Sequence, residues 1–204
     1  MTTHIPYLTL PAAVFSQPAV SVVLPIALGF GQGLALQPKQ TKKTYLALKQ
    51  PPFRPPPQVF GPAWFVLYGL MGFSAYHAWN TGMASVNPNV IALTKQGATL
   101  YTIQLGLNLA FMPLFYGLNR PIEATANMVA LTGVLGYLTY IWSQVDEVAA
   151  WTMVPYVGWS CFATYLSAGT GYLNDWSMAD KETKKPPTKK SEDTKYVNEK
   201  PGNE

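Results

Sequence analysis

The side chains in this chain that could engage a ligand are aromatic rings and amides. Phe60, Trp64 and Tyr68 repeat at i, i+4 and i+8, a spacing that stacks them on one face of a helix. Gln104, Asn108, Phe111 and Phe115 share a second such face, and Tyr156, Trp159 and Ala163 a third. Aromatic rings lie against planar or apolar molecules, and an amide adds a directed hydrogen bond. The chemistry on offer is recognition. Acid–base and metal chemistry lack raw material: Cys161 is the only cysteine, and the two histidines, His4 and His77, are widely separated. Cys161 lies in an apolar run and reads as a buried, inert thiol; His77, near the end of a hydrophobic segment, reads as interfacial. Gly29–Phe30–Gly31–Gln32–Gly33 lacks the G-x-G-x-x-G spacing of a phosphate loop and follows no strand. Its glycines, four apart, suit close packing of membrane helices.

Positioning these residues is the task of segments almost free of charge. Residues 1–38, 55–94, 96–119 and 148–174 carry none, and only ten charged residues precede position 175. A helix needs about 20 apolar residues to cross the ~30 Å hydrocarbon core of a bilayer. The expected fold is all-α: a polytopic membrane bundle of five transmembrane helices within residues 1–174, at about 16–36, 59–80, 95–118, 121–144 and 147–173. A soluble bundle is excluded because residues 59–80 hold only Ser74, His77 and Asn80 as strongly polar types, all near one end, and offer no wet face. Helices three and four, joined by a short turn at Gly117–Arg120, are expected to be antiparallel neighbours. Five spans place thirteen of the Lys and Arg residues on one side and Lys95 alone on the other. The positive-inside rule then puts the C-terminus and the 37–58 loop in the cytosol. Residues 175–204, with fourteen charges, are expected to be a disordered cytosolic tail whose lysines lie near the membrane. The first lysine is residue 39, so neither a secretory signal nor a mitochondrial presequence is expected. Nothing points to nucleic acid.

Gln104 and Asn108 are expensive in lipid and must face inward. Two readings of them stand. They bond across helices and hold the bundle together, or they anchor a ligand in an aromatic pocket. A lid for such a pocket is at hand. Six prolines between residues 51 and 62 forbid a helix there until its first turn, so the segment enters the second span as a stiff extended loop.

These blocks resemble, in order, the tryptophan-rich sensory protein / translocator protein family. The resemblance rests on Tyr45…Leu48…Gln50–Pro51, Pro55–Pro56, Phe60…Trp64…Leu67–Tyr68 with Met71–Gly72, Gln104…Asn108, Pro113…Phe115…Gly117, and Pro155–Tyr156…Trp159…Phe162–Ala163–Thr164…Leu166. The long basic tail and extended N-terminus suggest a eukaryotic, fungal-like member. The resemblance implies a five-helix membrane bundle, often dimeric through the third helix, where Gly97, Ala98, Gly106 and Ala110 are small. It implies no resident cofactor but a tetrapyrrole ligand, protoporphyrin IX or heme, and in animals sterols and drug-like molecules. The implied site is Tyr45 and Pro55 beneath the lid, with Phe60, Trp64, Tyr68, Asn108, Phe111, Trp159 and Ala163 lining the cavity. The implied location is the mitochondrial outer membrane, with the endoplasmic reticulum second.

Three functions follow. The preferred one is a receptor that binds tetrapyrroles and affects their levels or transport. The second is light-dependent porphyrin degradation through pocket tryptophans. Thr44, Phe53 and Phe111 stand where the family commonly has tryptophan, which weakens that chemistry. The third is passive passage of lipid or porphyrin; coupled transport would call for an ionisable group inside a span. The family's sterol-recognition stretch ends in an aromatic followed by a base, whereas Tyr172 is followed by Leu173, Asn174 and Asp175.

Overall fold

Helices make up nearly all of the computed structural model, which describes residues 4–36 and 38–177. Seven α-helices appear among these residues: α1 (Ala12–Ser16), α2 (Pro18–Ala35), α3 (Pro38–Ala47), α4 (Pro57–Met83), α5 (Pro88–Met112), α6 (Pro121–Ser143) and α7 (Glu147–Leu173). Sequence periodicity anticipates five. The additional α1 and α3 are short and flank the first long helix. α3 lies in the first part of the 37–58 loop, ahead of the expected lid, because the prolines that forbid helix begin only at Pro51. Among the described residues, four segments are long and apolar enough to cross a membrane: Pro18–Ala35, Pro57–Met83, Pro88–Gly117 and Pro121–Ser143. α7 has 27 residues, ample for a span in length, but is not among the four.

Proline sets most of the helix starts. α2, α4, α5 and α6 each carry proline in the first turn, where its missing N–H costs nothing. α5 begins at Pro88 rather than near Lys95. Asn87 caps it by accepting the Asn89 N–H at 2.9 Å, an N-cap and first-turn proline pair that hydrophobic periodicity does not register. Pro113 then ends regular α-helix. It cannot donate to the Leu109 carbonyl, and the chain passes into a π-turn over Pro113–Gly117 that closes with Leu118 N–H to Pro113 O at 2.8 Å. The freed Leu109 carbonyl accepts instead from Gln32 Nε2 of α2.

The long helices form one bundle. α4 lies against α2, α5 and α7, while α6 packs between α5 and α7. α5 and α6 are neighbours, as the short turn requires. A Cβ at Gly29 would run into the Tyr68 ring, so this glycine seats α2 on α4, whereas Gly33 faces open space. Gly97 and Ala98, candidates for a dimer surface, lie inside the bundle: Gly97 sits against the Trp142 indole and Ala98 is buried. Gly106 is exposed with open space before it. Cys161 is exposed on the outer face of α7, not buried. Of the expected charged tail, only Asp175, Trp176 and Ser177 lie within the described residues.

The two ends of the bundle are closed differently. At one end the N-terminal segment folds back across α4 and α5. His4 Nδ1 lies 3.1 Å from the Lys95 carbonyl, Leu10 N–H donates to Thr102 Oγ1 at 3.0 Å, and buried Phe15 stacks on Trp79 at 5.2 Å. At the same end Asp146 caps α7, accepting the Ala149 N–H at 2.8 Å, and its other oxygen lies 2.9 Å from His77 Nδ1. Burial opposes the charged form of Asp146. The Ala149 and Thr81 hydrogen bonds and the nearby His77 outweigh it, so its carboxyl stays below the ordinary value.

A lowered folded-state value means the cap contributes fully above the ordinary carboxylate range and is lost as pH falls through the folded value. Asp146→Ala should cost about 1 kcal/mol at neutral pH, the usual loss for an N-cap. The gap in melting temperature between wild type and variant in detergent should close on acidification. A gap independent of pH would show that the charge of Asp146 is not what caps α7.

Candidate functional site

The aromatic and amide residues singled out by spacing meet where α4, α5 and α7 converge. Tyr68 Oη donates to Asn108 Oδ1 at 2.8 Å. Asn108 Nδ2 donates to Tyr156 Oη at 2.8 Å, and Tyr156 Oη donates to Gln104 Oε1 at 3.0 Å. Gln104 Nε2 ends the chain 3.9 Å from Met71 Sδ. All five residues are buried. The cross-helix reading of Gln104 and Asn108 is therefore realised: both amides spend their polar atoms on tyrosine hydroxyls and sulfur from other helices. Tyr156, at the centre of the chain, is absent from the residues expected to line the site. Its signal was present in its three-residue spacing from Trp159 on α7.

Trp64 links this polar chain to an aromatic layer. Its ring lies 5.4 Å from Tyr68 and 6.0 Å from Tyr156, edge-on to the latter. One turn closer to the start of α4, Phe60 meets Tyr45 of α3 at 5.7 Å and Trp159 of α7 at 6.1 Å, both edge-on. Trp159 continues to Phe162 at 5.7 Å. Its indole N–H is buried with no hydrogen-bond partner among the described residues. A shallow groove of about 570 Å³ opens beside it between α4 and α7, lined by Pro62, Val66, Leu70, Pro155 and Phe162 among others.

Residues 48–56 lie over this layer and are fastened at many points. Tyr45 Oη donates to the Pro55 carbonyl at 2.9 Å, and Gln50 Nε2 to the Tyr45 carbonyl at 2.9 Å. Asn174, at the C-cap of α7, accepts from Lys49 N–H at 3.1 Å and donates to its carbonyl at 2.8 Å. Thr170 Oγ1 donates to Gln50 Oε1 at 3.1 Å, Tyr165 Oη to the Pro52 carbonyl at 3.1 Å, and Pro51 presses on Gly169. The lid is thus tied to the last three turns of α7, a connection that sequence spacing does not reveal because its partners lie over a hundred residues apart.

The structure brings Tyr45, Pro55, Phe60, Trp64, Tyr68, Asn108 and Trp159 into one contiguous set. Phe111 belongs elsewhere: it stacks on Phe115 at 5.5 Å in a second cluster with Leu48 and Ala124. Ala163 is half-buried on α7, one turn beyond Trp159. Phe53 is 90% exposed on the lid at a positive φ of 63°.

An apolar helical bundle with a packed aromatic layer under a proline-rich lid defines a class of integral membrane protein. The profile of the TspO/MBR family matches residues 21–173, and the chain belongs to that family. It is 38% identical to the translocator protein homolog of Schizosaccharomyces pombe over 153 residues, which cover 74% of this chain and 88% of the relative. Over 155 residues it is 34% identical to the tryptophan-rich protein TspO of Archaeoglobus fulgidus, covering 76% and 94%. Against the human translocator protein the figures are 32% over 150 residues, with 74% and 86% covered.

Tyr156 makes two bonds in the buried chain, and interhelical polar bonds in membrane proteins are worth about 0.6–2 kcal/mol. Tyr156→Phe keeps the ring and should lower the melting temperature in detergent or lipid nanodiscs. An unchanged melting curve would remove the hydroxyl chain from the account of bundle stability.

Proposed function

We propose that this protein is a membrane receptor for tetrapyrroles, with protoporphyrin IX or heme as ligand, acting in their transport, sensing or handling under stress. The observation that carries this reading is the ring set Tyr45–Phe60–Trp159 and Trp64–Tyr68–Tyr156 under the lid. A macrocycle is flat, apolar on both faces and edged with carboxylates. Indole and phenyl faces fit the first property. The buried Trp159 N–H, without a protein partner among the described residues, fits the last. Edge-on ring pairs must part to admit a flat ligand, and the lid over them is held by hydrogen bonds that can be broken one by one. Sterols and drug-like molecules share the apolar character and belong to the same reading.

The same proposal gives α7 the role of a fifth span, so that the lid, the 117–120 turn and the end of α7 share the cytosolic side. That side collects Lys39, Lys42, Lys43, Lys49, Arg54 and Arg120, as the positive-inside rule asks. In a mitochondrial outer membrane the N-terminus would face the intermembrane space; the endoplasmic reticulum is the second location. A homodimer, if formed through α5, would use the open surface at Gly106.

The alternative of light-driven porphyrin degradation draws on Trp64 and Trp159, the two indoles of the ring set. Phe53 and Phe111 supply no oxidisable ring there: one is exposed and the other sits in the second cluster.

Trp64→Ala and Trp159→Ala should each weaken porphyrin binding, read by tryptophan-fluorescence quenching on purified protein. Stacking on a base costs about 1–3 kcal/mol per aromatic removed, and a similar loss is expected here. Unchanged affinity in both variants would reduce the ring set to bundle packing. Illumination of the bound complex should bleach the porphyrin band slowly; rapid bleaching abolished by Trp64→Phe would favour the enzymatic alternative.

Protease added to intact organelles should remove a C-terminal tag. Protection of the tag would reverse the proposed orientation.

A further inference from the structure

From the arrangement of α3 and the lid we infer a second binding surface, one for anionic phospholipid headgroups. α3 divides cleanly. Tyr45 and Leu48 are buried against the bundle, and Thr41 and Thr44, on the same face, are half-buried. Lys39, Lys42, Lys43 and Leu46 occupy the opposite face and are exposed. The lid continues that outer surface with exposed Lys49, Phe53 and Arg54. Five cations therefore lie within sixteen residues, and the sequence has no acid before Glu123. Glu123 itself lies 3.6 Å from Arg120. Among the described residues, no carboxylate pairs with any of the five.

Placement identifies the partner. α3 connects the end of α2 to the start of α4, both apolar enough to span, so it lies where hydrocarbon gives way to headgroups. Leu46 is 55% exposed and Phe53 90%, beside the lysines. A helix with cationic and apolar side chains exposed together suits an interface that is anionic above and oily below. A nucleic acid or an acidic peptide would use the charge but leave Leu46 and Phe53 in water. The chain's own tail is a poor complement, because residues 175–204 contain seven acids and seven lysines. Headgroup contacts to this surface would also bear on the lid, since Lys49 and Arg54 belong to it. The inference rests on α2 and α4 crossing the membrane and is independent of what the aromatic set binds.

The test is native mass spectrometry of the full-length protein in detergent with equal amounts of phosphatidylcholine and phosphatidylserine. Wild type should retain phosphatidylserine several-fold over phosphatidylcholine. Lys39→Gln/Lys42→Gln/Lys43→Gln, all at exposed positions, should lose the preference while keeping the melting temperature. The full-length variant Lys184→Gln/Lys185→Gln/Lys189→Gln/Lys190→Gln should keep it. Equal retention of both lipids by wild type would overturn the inference. So would a preference that survives the α3 variant, or one that disappears only in the tail variant.

Discussion

Inside hydrocarbon no water is available to a polar group, so a carbonyl, amide or hydroxyl between helices that finds no partner in the chain carries a cost. Much of this bundle can be derived from that cost. Pro113 frees the Leu109 carbonyl, and Gln32 crosses from α2 to satisfy it. Asn127 Nδ2 of α6 donates to the Leu107 carbonyl of α5 at 2.9 Å, and Ser74 Oγ of α4 to the Ala149 carbonyl of α7 at 2.7 Å. Thr132 and Thr164 pair at 3.1 Å between α6 and α7. Each bond is modest. Together they fix which helix faces which, a choice that apolar packing alone leaves loose because lipid tails are as apolar as leucine.

The lid obeys the same rule in a wetter setting. Residues 48–56 form no regular helix, so their backbone groups need partners from elsewhere. Asn174 meets both groups of Lys49, and Tyr165 and Tyr45 meet the Pro52 and Pro55 carbonyls. Prolines reduce the demand by removing donors. The result is a stiff segment over the rings, held by side chains of α7 and anchored at its start by buried Leu48 and Pro51.

What the sequence made legible follows the same physics. Charge-free runs locate long helices because the cost of a charge in hydrocarbon is large. α7 could be placed at residues 147–173 because Asp146 and Glu147 interrupt such a run at its start. The i, i+4 spacing of Phe60, Trp64 and Tyr68 foretold their common face. α1 and α3 were not legible, since each is too short for periodicity and lies at an end of the bundle. The outward position of Cys161 was not legible either: in lipid, an apolar run faces outward as readily as inward, so hydrophobicity no longer reports burial. Phe111 was misplaced for a related reason. It shares a face with Asn108 on an ideal helix, but it lies nearly a full turn further along α5, beside the π-turn at Pro113, and packs on Phe115.

Trp64 connects the two halves of the site. Its ring contacts Tyr68 and Tyr156, whose hydroxyls both bond to Asn108. The aromatic layer that would meet a ligand and the hydroxyl–amide chain that joins α4, α5 and α7 are therefore not independent. A molecule that displaces Trp64 loosens the packing on two tyrosines, and those tyrosines cannot rotate without leaving buried hydroxyls and an amide unpaired. In hydrocarbon that penalty is steep. A ligand of the kind proposed would accordingly enter by moving Phe60, Trp159 and the lid, which carry no such bonds or only breakable ones, while the layer at Asn108 stays fixed beneath it.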